Sequence, residues 1–145
     1  MTFASFALQT SADLLVDTSA ALALLREADP SHEAVTDAVR GRTLGLSGHA
    51  LIETYSVLTR LPGQARITPN EARRIIAVEF PASVALPPDV ALRAVALFAE
   101  AGIAGGAVYD GLVGLAAKAA GIPLLSCDRR AVGTYAALRA DVRLI

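Results

Sequence analysis

The chain has 145 residues, 54% hydrophobic and 19% charged, with a net charge of −1 and a pI near 6.1. That length suits one domain with a core of its own, and the charge excludes a protein that grips nucleic acid through a bulk basic field. The single cysteine, Cys127, excludes an intramolecular disulfide and a cysteine-rich zinc centre.

Residues 1–12 are mildly apolar but lack a basic start, and the Asp-Leu-Leu-Val-Asp that follows breaks any signal-peptide core. They read as a leader, disordered or outside the functional protein, ahead of a domain spanning 13–145. The run 14–16 is a short buried strand ending at Asp17. A helix follows over 18–28. Pro30 punctuates, Ser31 can cap a second helix, and Gly41 ends it. The run 44–46 is a second strand. Ser47 opens a helix that stops at Leu61-Pro62-Gly63, and Thr68-Pro69-Asn70-Glu71 starts another. A third strand is expected over 83–86. A long helix begins at Pro87-Pro88-Asp89 and ends at Gly102. The small-residue loop 104–106 leads into a helix over 107–120, and Gly121-Ile122-Pro123 ends it. A strand over 124–126, a short helix near 132–138 and a last strand over 142–145 complete the chain.

Short apolar strands separated by helices imply an α/β fold, a parallel sheet of four to five strands covered on both faces. No run of about 18 uncharged apolar residues occurs, so no transmembrane helix is expected, and the lone cysteine suits a reducing cytoplasm. The apolar excess has two open sources: a face that meets a partner or a second copy, or alanine swelling the count. Lys118 is the only lysine, so nearly all positive charge is guanidinium, suited to phosphate and carboxylate.

Ligands of open parallel sheets bind beyond the carboxyl ends of the strands. Asp17 ends the first strand, Glu53 lies on the helix after the second, Asp110 is in the first turn of its helix, and Asp128 lies just past the strand over 124–126. Each has a structural alternative: a cap for Asp17, a favourable dipole for Asp110, a turn for Asp128, a solvated face for Glu53. Four acids on one edge repel unless a cation neutralises them. Their hard oxygens suit Mg2+ or Mn2+, and such ions serve phosphodiester chemistry. His49 precedes Glu53 by one helical turn; it either faces the same site or only assists the helix start. His32 reads as a surface residue, Cys127 as a small core residue, and Arg129 and Arg130 as a solvated turn or as contacts to phosphates.

The segments Leu-Leu-Val-Asp17-Thr18-Ser19, His49-Ala-Leu-Ile-Glu53, Val108-Tyr109-Asp110 and Leu-Leu-Ser126-Cys127-Asp128-Arg129-Arg130 resemble, in order, the acidic motifs of PIN domains. The closer resemblance is to the VapC-like ribonuclease toxins of toxin–antitoxin pairs. It implies a three-layer PIN-like fold and a cytoplasmic endoribonuclease that cleaves structured RNA through a carboxylate-bound Mg2+ or Mn2+ ion activating water. It also implies a VapB-like antitoxin as partner and a homodimer. Asp17, Glu53, Asp110 and Asp128 would form the catalytic, metal-binding set, with Thr18, Ser19 and Ser126 in support. Two features depart from the family pattern. The leader is long, and Gly111 and Gly114 interrupt the Asp110 helix, each at about 1 kcal/mol relative to Ala unless close packing compensates. The competing readings are a catalytically silent PIN-like binding protein and a phospho-acceptor signalling module.

Overall fold

The computed structural model of the protein describes residues 11–145. Most of the expected leader lies outside these residues; Ala12, at its end, is buried in the core. Four short strands, β1 (Leu14–Val16), β2 (Leu44–Leu46), β3 (Leu124–Ser126) and β4 (Val142–Leu144), form one parallel sheet in the order β2-β1-β3-β4. Leu14 lies opposite Leu44, and Val16 opposite both Leu46 and Leu125. Every residue of β1, β2 and β3 is buried. Successive side chains of a strand point to opposite faces, so helices must cover both faces of the sheet, as the unbroken apolar runs imply.

The helices among the described residues are α1 (Thr18–Leu25), α2 (His32–Val39), α3 (Ala50–Thr59), α4 (Pro69–Glu79), α5 (Pro88–Ala101), α6 (Ala107–Ala120) and α7 (Arg129–Ala137), with a 3-10 turn at Gly63–Ala65. None is long and apolar enough to cross a membrane. The expected start of α4 is a full capping box: Thr68 Oγ1 accepts from Glu71 N, and the Glu71 carboxylate accepts from Thr68 N.

The expected strand over 83–86 shrinks to a single parallel bridge between Ser47 and Val84. The segment does run beside β2, with Ala82 N donating to Leu44 O and Val84 N to Leu46 O, each at 3.0 Å. Leu46 N, however, donates to Ser83 Oγ at 2.9 Å instead of to a main-chain carbonyl, which interrupts the ladder. The approach is close enough to require Gly45, since a Cβ there would lie 2.1 Å from Ala82 O.

Other boundaries also move for local reasons. Helix α1 stops at Leu25 because Arg26 is extended, and α7 begins at Arg129 because Asp128 caps it. Ser31 makes no side-chain cap. His32 is no free surface residue: half-buried, its Nδ1 lies 2.8 Å from Ala23 O and ties α2 to α1. His49 stands at the cap position of α3 in helical conformation, without a capping bond.

Close packing explains the two helix glycines. A Cβ at Gly111 would lie 2.6 Å from the Phe98 ring of α5, and one at Gly114 would lie 3.1 Å from the Tyr135 ring of α7. Helix α6, which carries Asp110, is thereby pressed between its two neighbours.

Candidate active site

All strands run in parallel, so their carboxyl ends share one edge. A cleft of about 200 Å³ opens there, lined by Asp17, Glu53, Asp110 and Asp128 together with Thr18, Ser19, Leu22, Val57, Val113 and Tyr135. The four acids expected on one rim therefore do meet, from four separate segments of the chain.

Asp17 is the most constrained. It leaves β1 in extended conformation, caps α1 and is only 3% exposed. Its Oδ1 accepts from Ala20 N at 3.0 Å and from Ser19 Oγ at 2.6 Å, and its Oδ2 accepts from Tyr135 Oη at 2.9 Å. A carboxylate offers about four acceptor positions. Three are taken, and the one remaining is on Oδ2. Burial first, then the Asp17 charge, push the Tyr135 phenol far above its ordinary pKa, so it stays protonated and donates.

Ser19 links the two central strands. Besides donating to Asp17, its hydroxyl accepts from Cys127 N at 2.9 Å and lies 3.4 Å from Ser126 Oγ. Ser126 Oγ in turn accepts from Asp128 N at 3.0 Å. The ends of β1 and β3 are thereby tied together, and with them Asp17 and Asp128. Thr18 shares no part of this, since its buried hydroxyl has no hydrogen-bond partner among the described residues.

Asp128 accepts from Arg130 N at 2.9 Å, with Arg130 Nε 3.6 Å from the same oxygen. Arg129 and Arg130 are exposed at this rim. Glu53 meets His49, with Nε2 3.9 Å from Oε2. Asp110 registers the whole set: burial raises its pKa first, then the charges of Asp128, Asp17 and Glu53, with Arg130 opposing them. Cys127 is half-buried, and burial followed by the Asp17 charge holds its thiol protonated, which disqualifies it as a nucleophile.

The donor chemistry suits a hard divalent cation: four carboxylates on one cleft, one of them bearing the repulsion of the other three. Among the described residues, no three acidic or histidine side chains close tightly enough to enclose an ion by direct ligation. A hydrated Mg2+ needs only one or two direct carboxylates, because it keeps several of its waters. The residues fit such an ion.

Sequence reasoning missed Tyr135. Its signal was the spacing Ala131, Tyr135, Leu138 after Asp128, an inward stripe on which a buried phenol must find an acceptor. A larger groove, about 520 Å³, lies between α3 and α4 and is lined by Leu51, Ile52, Tyr55, Pro69, Asn70, Arg73 and Ile76. It is mostly apolar and holds no carboxylate, so the chemistry points to the smaller cleft.

The family model described as PIN domain matches residues 14–136. Ribonuclease VapC27 of Mycobacterium tuberculosis (strain H37Rv) is 43% identical over 122 residues, covering 84% of this chain and 89% of that one. Ribonuclease VapC40 of the same species (strain CDC 1551) is 44% identical over 131 residues, covering 89% and 96%. Among solved structures, FitAB bound to a DNA fragment superposes with a TM-score of 0.68 at 18% identity, covering 90% of this chain and 94% of that one. VapC20 of Mycobacterium tuberculosis, described as a toxin that cleaves the sarcin–ricin loop, superposes with a TM-score of 0.61 at 20% identity, covering 82% and 92%. At those identities the structural likeness concerns the fold.

Proposed function

The chain belongs to the PIN-domain family, and from that premise we propose the function its acidic cleft supports best: a VapC-type endoribonuclease, the toxin of a toxin–antitoxin pair. The observation that carries the proposal is the convergence of Asp17, Glu53, Asp110 and Asp128 on one cleft, in a chain 43–44% identical to proteins named ribonucleases.

In this reading Asp17, Asp110, Asp128 and Glu53 hold a Mg2+ or Mn2+ ion, which when bound supplies charge stabilisation at the phosphodiester and a water of lowered pKa. The protein's part is placement. Ser19, Ala20 N and Tyr135 fix the Asp17 carboxylate and leave one Oδ2 acceptor position unused. The Ser19–Ser126 tie sets Asp128 relative to it. Leu22, Val57 and Val113 give the cleft apolar walls, which strengthen charge interactions inside it. Arg129 and Arg130, exposed at the Asp128 rim, are placed to meet the phosphates that flank the scissile one.

The partner by this reading is a VapB-like antitoxin, and the working compartment is the cytoplasm. A homodimer is supported by the outer face of α5, where Leu92 and Val95 are 87% and 81% exposed, one helical turn apart and open to a second copy.

The deciding experiment incubates purified protein with labelled structured RNAs across a Mg2+ and Mn2+ titration, beside EDTA and Asp17→Asn controls. Cleavage lost in both controls is the expected result. Cleavage that survives in a folded Asp17→Asn protein overturns the site. Absence of both cleavage and metal binding by calorimetry favours a catalytically silent binding protein of the same fold.

A further inference from the structure

His49 and Tyr109 come from different segments, one at the cap of α3 and the other in the first turn of α6, yet their rings meet. The centroids are 5.2 Å apart and the planes differ by 30°, within the range of offset aromatic pairs. The pair stands beside the acidic cleft. His49 Nε2 is 3.9 Å from Glu53 Oε2, and Tyr109 directly precedes Asp110. Core packing does not occupy the Tyr109 side chain, which is 55% exposed. With His49 against it and more than half of the residue open, aromatic surface is presented to solvent next to Glu53, one of the residues that line the cleft. The capping role considered for His49 is absent, so its ring is available to this pairing.

The two rims of the cleft therefore differ. The Asp128 rim carries the Arg129 and Arg130 guanidinium groups, and the Glu53 rim has two tilted, contacting rings beside it. A net charge of −1 leaves little general attraction for a polyanion, so contacts that do not rely on charge gain weight. An unpaired base offers a π-face whatever its identity, and proteins hold such bases by stacking them on aromatic side chains.

We propose that His49 and Tyr109 form a stacking subsite for one unpaired nucleobase next to the phosphodiester in the acidic cleft. The inference rests on the ribonuclease reading and adds which residues hold one base beside the scissile phosphodiester and by what contact. Tyr109 acts by binding and positioning, so it bears on KM more than on kcat.

The test measures fluorescence anisotropy of a labelled RNA stem–loop, and of a series each carrying one abasic loop nucleotide, with Mg2+ and the cleavage-silenced Asp17→Asn protein. Added to that background, Tyr109→Ala is expected to weaken binding roughly 5- to 150-fold, the range for losing one base stack, while Tyr109→Phe keeps it. One abasic position should weaken the parent by a similar factor and leave the Tyr109→Ala protein unaffected. Equal affinities for parent and Tyr109→Ala, with unchanged circular dichroism, overturn the proposal. So does a Tyr109→Ala protein that binds RNA normally and loses only its protein partner, because the pair is then a protein interface. Metal-dependent cleavage by the unsubstituted protein is scored separately. If it is absent while the abasic coupling holds, the nuclease reading falls and the stacking subsite stands.

Discussion

Tyr135→Phe removes one oxygen from the protein and nothing else. The ring stays, so its packing against Gly114 and the core is kept and no cavity opens. What is lost is the 2.9 Å bond to Asp17 Oδ2. A hydrogen bond to a charged group contributes about 1.5–3 kcal/mol, and Asp17 at 3% exposure has little water to replace it. A domain near this size loses about 3 °C of Tm per kcal/mol, so the metal-free variant should melt roughly 5–10 °C lower. Loss of a partner that orients a metal ligand typically weakens affinity about 10- to 100-fold, and Mn2+ binding by calorimetry should fall by that factor. Denaturant unfolding in EDTA gives the first quantity and titration the second. A variant within about 0.5 kcal/mol of the parent, the usual spread for an inconsequential surface change, and with unchanged Mn2+ affinity, would falsify the assignment of Tyr135 as the residue that positions Asp17.

Asp110→Asn should abolish cleavage yet stabilise the metal-free protein at pH 7. The folded pKa of Asp110 is raised above 3.8, so the native state binds more protons and loses stability as pH rises through that shifted value. The gain in Tm should vanish below pH 3.8, where the carboxyl is protonated in both states; a variant less stable at pH 7 refutes a carboxylate penalised by burial and by its acidic neighbours. Gly45→Ala puts a Cβ 2.1 Å from Ala82 O, backbone against backbone, and should cost about 3 kcal/mol or more, read by urea denaturation. A cost under 1 kcal/mol would show that the 83–86 segment is not held against β2. Leu92→Arg with Val95→Glu on the outer face of α5 should leave Tm within about 2 °C and convert a dimer to a monomer in sedimentation. An unchanged dimer moves the self-association face elsewhere.

Much of the fold is local and was legible in the chain. Three- or four-residue apolar runs between helices dictate a buried parallel sheet, because nothing else hides both faces of such strands. Asp17, Asp110 and Asp128 follow strand ends or helix starts by sequence position alone, and a parallel sheet then puts them on one edge. Thr68 with Glu71 writes its own capping box. Long-range contacts decided the rest. Whether 83–86 becomes a strand depends on where the Ser83 hydroxyl lands, 37 residues away on Leu46 N. Thr18 and Ser19 are adjacent hydroxyls of the same kind, and only Ser19 reaches Ser126 and Cys127 at the end of β3, a distinction set by the direction of each side chain on the first turn of α1. Tyr135 meets Asp17 across 118 residues, and His49 meets Tyr109 across two helices. Sequence position determines which residue types stand at the edge of the sheet. The local cap of Ser19 and Ala20 holds Asp17 Oδ1, but which Oδ2 lone pair stays free for chemistry is set by Tyr135, which only the packed core brings within 3 Å.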